Sequence, residues 1–385
     1  MSSLHGRLSD EIKTRAWRLQ PPDGKPRSRW LAIGDPQTTF AKLLSILAKH
    51  DLLDEHGSLR EHIGLVSIGD HFDFDLRPHD GKSLAEAGRD STNILRWLAD
   101  HPPDQVVILM GNHDAARVME LAFETDETFA AARTLAETCL DEQPAGDKTL
   151  AFAKAYPRIP TPEVADRDYS SFAVYQRELV QQLLLAGRMR LACLGHHAGT
   201  PALLTHAGVT STQVKELGVA PRAEAVVDAL EARLGEAVAR VRSAWEHGEL
   251  AALNLEPLHF AGHDGREGGG LLYHRASMKG DDTGTGAPVA PRRFHPRELP
   301  RGLVQIHGHT GHHKSLQELE GWQGPSATKL ARGGLRTLTA ADSGIVYDGG
   351  IAPAHDGDAT VYQIDIEMNH PTVTDYPLFE LERVS

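Results

Sequence analysis

The sequence predicts an α/β fold around a largely parallel sheet. Three observations carry that reading: short apolar runs that stop at glycine-containing polar tips, helical patterns between those runs, and the overall composition of a globular chain. Arg29 to Ile33 runs into Gly34-Asp35, Ile63 to Ile68 into Gly69-Asp70, and Val106 to Met110 into Gly111-Asn112-His113-Asp114. Short apolar runs bounded in this way read as strands buried on both faces. Between them, Phe40 to His50 and Leu84 to His101 repeat apolar residues at three and four, the spacing of one helix face. Strand, helix and strand in alternation imply parallel pairing.

From Ala115 to about Arg188 the sequence turns alanine-rich and helical, interrupted by a loop-like Tyr156 to Pro162. Strand pattern returns at Met189 to Leu194, turns through Gly195 to Pro201 and resumes at Ala202 to Thr205, which predicts a hairpin. A second helical block starts at Ser211, and glycine, proline and charge dominate Gly262 to Pro300. Residues 276–300 read as a flexible loop whose middle, Lys279 to Ala290, is mobile surface. Leu303 to His307, Ser343 to Tyr347, Ala359 to Ile366 and Thr372 to Tyr376 read as further strands. The whole is expected to be a single domain over residues 1–385, with helical insertions at about 115–188 and 211–258.

Of the 385 residues, 40% are apolar and 24% charged, the balance of a globular protein rather than a disordered or fibrous one. Met1 to Lys13 is polar, and no apolar run approaches the ~18 residues of a spanning helix. The expectation is therefore a cytoplasmic protein without a membrane partner. Two cysteines, Cys139 and Cys193, give neither a disulfide framework nor a cysteine zinc site, so any metal must be held by oxygen and imidazole. A net charge of −13 disfavours a general nucleic-acid binder.

Several strand tips end in residues that can ligate a metal. Asp35, Gln37, Asp70, Asp73, Asn112, His113, His206 and His309 converge if their strands lie parallel, because ligands of open α/β sheets gather at the carboxyl ends of strands. Carboxylate, amide and imidazole together suit manganese, iron or zinc. One bridging carboxylate can hold two ions about 3.5–4 Å apart, polarising phosphoryl oxygens and turning a bridging water into hydroxide, the attacking nucleophile.

Gly34-Asp35-Pro-Gln37, Gly69-Asp70-His-Phe-Asp73, Gly111-Asn112-His113-Asp114, His206-Ala-Gly208 and Gly308-His309-Thr310 resemble the five ordered blocks of the calcineurin-like metallophosphoesterase superfamily. His206-Ala-Gly-Val209 and the run from Gly308 to Asp342-Ser-Gly344 resemble the Ser/Thr protein phosphatase and symmetrical dinucleoside tetraphosphatase branch. That resemblance implies an αββα four-layer sandwich of two mixed sheets, with the helical insertions forming a cap. It further implies Asp35 and Gln37 on a first metal, Asp70 bridging, and Asn112, His206 and His309 on a second, with manganese the first choice and iron or zinc the alternatives. His113 would protonate the leaving oxygen, and Asp73 would fix its tautomer. The segment Leu271 to Arg275 resembles one that precedes the last histidine block of that branch, which puts Arg275 near a substrate phosphate.

Three positions depart from the pattern: Gln37 stands for a histidine, Phe74 for an arginine, and Gly311 for a second histidine. No substrate carries over from either group. The reaction expected is hydrolysis of phosphate monoesters, on a small molecule or a phosphoprotein. The alternatives are a phosphodiesterase, a dinucleoside polyphosphate hydrolase or a nuclease, and, from another class, a non-catalytic scaffold that binds metal or a phosphorylated ligand. A scaffold has no use for His113 and Asp73.

Other candidates have plainer readings. His196-His197 and His312-His313 sit beside glycines and are expected to face solvent, while His71 is expected to point away from the strand tips. Arg292, Arg293, Arg297 and Arg301 are interrupted by prolines and read as a solvated loop. Ala223 to Trp245 has the spacing of a helix packed on its own core.

Overall fold

The computed structural model describes residues 9–10, 12–14, 16–74, 83–140, 146–281, 287–330, 334–369 and 372–385. The chain is α/β and holds two mixed sheets. In the first, β1 (Arg29–Ile33), β2 (Ile63–Ser67), β3 (Val106–Leu109) and β4 (Met189–Arg190) run parallel in that order. Helices α1 (Phe40–Lys49) and α2 (Leu84–Ala99) make the first two crossovers. Each starts where its sequence places a cap. The Thr39 hydroxyl accepts from Lys42 N, and Ser83 and Glu86 form a reciprocal capping box, so the first-turn N–H groups are satisfied before the apolar face begins.

Among the described residues, four helices lie between β3 and β4: α3 (Asn112–Ala116), α4 (Asp126–Leu140), α5 (Asp147–Ala155) and α6 (Val174–Leu185), with a π-helical turn at Val164–Asp168. The second sheet begins with the hairpin β5 (Ala192–His197) and β6 (Thr200–Thr205). Helices α7 (Ser211–Leu217) and α8 (Ala223–Glu246) follow. Two short ribbons come next: β7 (His259–Phe260) pairs with β8 (Gly269–Gly270), and β9 (Arg275–Ala276) with β10 (Arg293–Phe294). The remainder is β11 (Val304–His307), α9 (His312–Glu318), β12 (Arg336–Ala341), β13 (Gly344–Gly349), β14 (Ala359–Gln363), β15 (Phe379–Leu381) and β16 (Arg383–Val384). The second sheet has the order β13-β12-β14-β11-β6-β5-β16, in which β14, β11 and β6 are mutually parallel. β15 closes the first sheet antiparallel to β1.

The sheets share one apolar layer. Trp30, Ala32, Val66 and Ile68 of the first meet Ala202, Leu204, Val304 and Ile306 of the second. The alternate residues Leu31, Ile33 and Leu65 face the other way and pack with Phe40, Leu44 and Leu98 of the helices. The same alternation on the second sheet directs Leu203 to the layer that holds Val226, Leu230 and Val241 of α8.

Several expectations need correction. The predicted strand Met189–Leu194 is divided between two sheets, with Met189–Arg190 in the first and Ala192 opening the second. The carboxylate of Glu231 holds the crossing point, accepting from Leu191 N at 2.7 Å and Ala192 N at 2.9 Å. The predicted strand Thr372–Tyr376 is instead a 3-10 turn at Val373–Asp375. The block from Ser211 forms no cap, because α8 lies on β5 and β6 as a layer of the fold. Of the loop at 276–300, residues 282–286 lie outside the described residues, while its ends pair as β9 and β10 and fold into the 3-10 turn Pro296–Glu298. Within it Arg292 is not solvated: its guanidinium stands 4.6 Å over the Tyr273 ring and pairs with Glu267, and Arg293 pairs with Glu318 at 3.1 Å. Among the described residues no helix is long and apolar enough to cross a membrane.

Candidate metal centre

Each parallel strand of both sheets except the two-residue β4 delivers polar side chains just beyond its carboxyl end. β1 leads to Asp35 and Gln37, β2 to Asp70 and Asp73, β3 to Asn112 and His113, β6 to His206, and β11 to His309. β14, which carried no predicted site residue, leads to Asp365 and Glu367. A cavity of about 320 Å³ opens there, and Asp35, Gln37, Asp70, Asn112, His113 and His309 line it. Arg275, Gly311, Asp365, Glu367 and Asn369 complete its wall. His206 lies beneath, fully buried.

Backbone geometry around the cavity is unusual. Asp70, Asp73, His309 and Glu367 all adopt left-handed conformations, with φ of 53°, 62°, 64° and 51°. Such residues cost energy and persist where surrounding contacts force them, commonly at functional sites. Asp114 is one such contact: its carboxylate accepts from Gly111 N, Asp70 N and His71 N, tying the second and third strand tips together. A side chain at Gly111 would be impossible, since a Cβ there would fall 2.1 Å from Asp70 Oδ1. His71 turns away from the cavity and is buried between Ser67 and Asp114.

Asp70, His206 and His309 form a buried group whose ligand atoms lie within 4.8 Å of one another, and it could hold a metal ion. His206 Nδ1 is 3.1 Å from Ile68 O, so the proton belongs on that nitrogen and Nε2 carries the lone pair. Nε2 faces Asp70 Oδ2 at 3.4 Å, Asn112 Oδ1 at 3.1 Å and His309 Nδ1 at 3.1 Å. Acceptors that converge in a buried place repel one another, and a cation among them relieves this. His309 Nε2 is buried with no partner. Burial, together with the positive Arg275, pushes His309 well below the usual imidazole range and keeps it in the neutral form that ligates metals.

The carboxylate side differs. Asp35 accepts both its hydrogen bonds from His309 N, at 3.1 Å each. Burial, with the charges of Asp365 and Asp70, pushes Asp35 well above the usual carboxylate range, and burial raises Asp365 to about 6. Burial alone would raise Asp70 too, but the charge and the backbone N–H of His113 oppose it, and Asp70 stays below the usual carboxylate range. Gln37 donates from Nε2 to Phe72 O at 2.8 Å, leaving its amide oxygen for the cavity.

His113 stands beside this group. Its backbone N–H donates to Asp70 Oδ1 at 2.9 Å, and its ring Nε2 is 3.9 Å from Asp70 Oδ2. Ring Nδ1 lies 3.0 Å from Asp73 Oδ2. Burial would lower His113, but Asp70 and Asp73 raise it to about 9. Asp73 is itself held from two sides. Arg117 pairs with Oδ2 at 2.6 Å, and Ser171 donates to Oδ1 from its N–H at 3.1 Å and its hydroxyl at 2.6 Å. Arg117 is fully buried and bonded to Gln176, and the ring of Tyr169 meets that of His113 at 5.4 Å, edge to face.

No family model matches the sequence, and no curated protein matches it. Two solved structures are similar in part. One, a cold-active protein tyrosine phosphatase at 1.1 Å, has 17% identity over 78% of this chain and 69% of that one, with a TM-score of 0.36. The other, a mutant cold-active protein tyrosine phosphatase, has 16% identity over 61% of this chain and 53% of that one, with a TM-score of 0.27. Likenesses that distant carry no argument about this chain's fold or chemistry.

The sequence reading did not single out Asp365, Glu367, Asp114, Arg117 or Ser171. Arg117 and Ser171 lie in helical sequence with no motif around them, and only folding brings them to Asp73. Asp365 had a signal, since Ala359 to Ile364 is an apolar run that ends on a carboxylate. His312 was expected to face solvent and is buried, 3.1 Å from the Tyr347 hydroxyl, because it opens α9 on the side facing β13. Its neighbour His313 is exposed.

Proposed function

We propose that the chain is a metal-dependent phosphomonoesterase with two divalent cations in this cavity, on the αββα four-layer sandwich of the calcineurin-like metallophosphoesterases. The observation that carries the reading is the buried meeting of Asp70, Asn112, His206 and His309, with an imidazole, His113, beside Asp70 that is oriented by a second carboxylate. Asp35, Gln37 and Asp70 would hold one ion, and Asp70, Asn112, His206 and His309 the other, with manganese the first choice. Bound there, the ions supply Lewis acidity toward phosphoryl oxygens and a water activated for attack.

The chain's own side chains supply the rest. Asp73 accepts from His113 Nδ1, which turns Nε2 toward the cavity as the atom that gives a proton to the leaving oxygen. Arg117 and Ser171 hold Asp73 in that orientation. Arg275 lines the cavity with a buried Nε that has no partner, so its guanidinium is available to hold phosphoryl oxygens. The substrates that fit are phosphorylated small molecules or phosphoproteins, since a net charge of −13 opposes extended nucleic acid.

The test uses metal-stripped protein with manganese added back, assayed on para-nitrophenyl phosphate and its bis ester, beside Asp70→Asn and His113→Ala. Manganese-dependent turnover of the monoester, lost in both variants, is the expected result. Preference for the bis ester would move the assignment to a phosphodiesterase. Two bound ions without turnover of either ester would favour a binding scaffold.

A further inference from the structure

We infer that the cation position beside Asp35 is an all-oxygen site completed by Asp365 and Glu367, which no motif in the sequence assigns. This rests on the two-metal reading above and names the ligands of its weaker half. Asp35, Gln37, Asp365 and Glu367 line one side of the cavity, and Asp70 joins them to the imidazole side.

The position of Glu367 is tied to Gly311. A Cβ built on Gly311 would come 2.6 Å from Glu367 Cγ, 2.7 Å from Cδ and 2.8 Å from Oε1. The Glu367 carboxylate therefore fills the space that any side chain at residue 311 would need, the position where the resemblance would place a second histidine. The backbone is arranged for it. Glu367 is left-handed at φ 51°, and its N–H donates to Asp365 Oδ1 at 2.8 Å, which ties its backbone to the neighbouring carboxylate.

Crowded buried carboxylates alone do not make a site, but their surroundings add to the case. Asp35, Asp70 and Asp365 are each no more than 6% exposed. The buried guanidinium of Arg336 donates to the backbone carbonyls of Thr310 and Asp365 rather than to a carboxylate. His309 Nε2, in the wall of the same cavity, is buried and unpartnered. Buried charge needs a counter-charge, and a small divalent cation among these carboxylates would supply it. Carboxylate and amide oxygens without imidazole are a hard donor set, which suits manganese or magnesium better than zinc relative to the histidine side.

The experiment dialyses the metal-stripped full chain against manganese and counts bound ions by mass spectrometry, with the electron paramagnetic resonance spectrum as second readout. Wild type should hold two ions per chain and give the spin-coupled spectrum of a pair. Glu367→Gln and Asp365→Asn should each hold one, with the six-line spectrum of an isolated ion. Gly311→Ala, which leaves every ligand in place but displaces the Glu367 carboxylate, should also lose one ion, and it keeps the test decisive if a ligand variant fails to fold. Variants that melt like wild type when stripped and still bind two coupled ions overturn the inference and leave the phosphoesterase reading standing. A wild type that binds no manganese overturns both.

Discussion

The two sides of the cavity solve the same problem with different chemistry. On one, His206, Asn112 and His309 touch at 3.1 Å, and backbone and burial have already set tautomer and charge. On the other, Asp35 and Asp365 accept from the backbone N–H groups of His309 and Glu367, both left-handed residues, and burial and neighbouring carboxylates oppose the charges of the two aspartates. The imidazole side is assembled by neutral donors that tolerate burial. The carboxylate side carries a standing electrostatic cost that a bound cation would offset. The lesson is that occupancy should be unequal, with the imidazole side filling first.

The largest effect should come from the residue common to both sides. Asp70→Asn is expected to abolish manganese-dependent turnover and lower the bound metal on both sides, as read by ion counting. Turnover near the wild-type rate would break the comparison, because it would mean that no shared ligand exists. Next is His113→Ala, which belongs to neither side. Loss of a positioned general acid should cost about 10²–10⁴-fold in kcat with both ions retained, and more on an alkyl phosphate than on para-nitrophenyl phosphate, whose leaving group needs no proton.

A smaller change is expected at Asp73. Asp73→Asn leaves a group that can still meet His113 but no longer fixes its tautomer, and about 10–100-fold is the usual loss for such an orienting partner. Arg117 then faces no counter-charge, so the melting point should be recorded beside the rate. Chelation sharpens the comparison further. Removing ions held at a hundredfold excess over their Kd should cost about 3 kcal/mol of stability for each ion, seen as a lower melting midpoint with EDTA. Titrating manganese back should restore it in two steps if the sides differ, and in one if they do not.

The smallest effect concerns a histidine remote from both sides. His101 accepts from Leu59 N at Nε2 and donates from Nδ1 to Trp97 O, and burial lowers it to about 4. With a folded value below the unfolded 6.5, its contribution is complete above that value and declines as pH falls toward 4. At pH 5.5 the loss is about 1 kcal/mol. Other buried histidines add their own losses, so urea melts at pH 7 and 5.5 should show a drop about 1 kcal/mol smaller in His101→Gln than in wild type.

Much of the site was legible because it obeys a local rule. An apolar run followed by glycine and a ligand marks a strand tip whatever the rest of the chain does, and β1, β2, β3 and β11 were found this way with Asp35, Asp70, Asn112 and His309 at their ends. Tip residues of β14 were passed over because Asp365 and Glu367 alternate with Ile364 and Ile366 and no glycine announces the turn. Strand β12, Arg-Thr-Leu-Thr-Ala-Ala, went unread for a related reason: its small residues earn their place by pairing with β14 and β13, not by any periodicity of their own.

By itself, then, the sequence determined the buried strands β1, β2, β3 and β11, the donors at their tips and the chemistry those donors allow, since each depends on residues a few positions apart. Tertiary structure alone decided that β4 and β5 belong to different sheets, that α8 is a layer of the fold, that Arg117 and Ser171 position Asp73, and that Glu367 occupies the space beside Gly311. Each of these depends on contacts between residues far apart in the chain. Such contacts are selected by packing and charge in three dimensions, and they leave no periodic mark on the segments that make them.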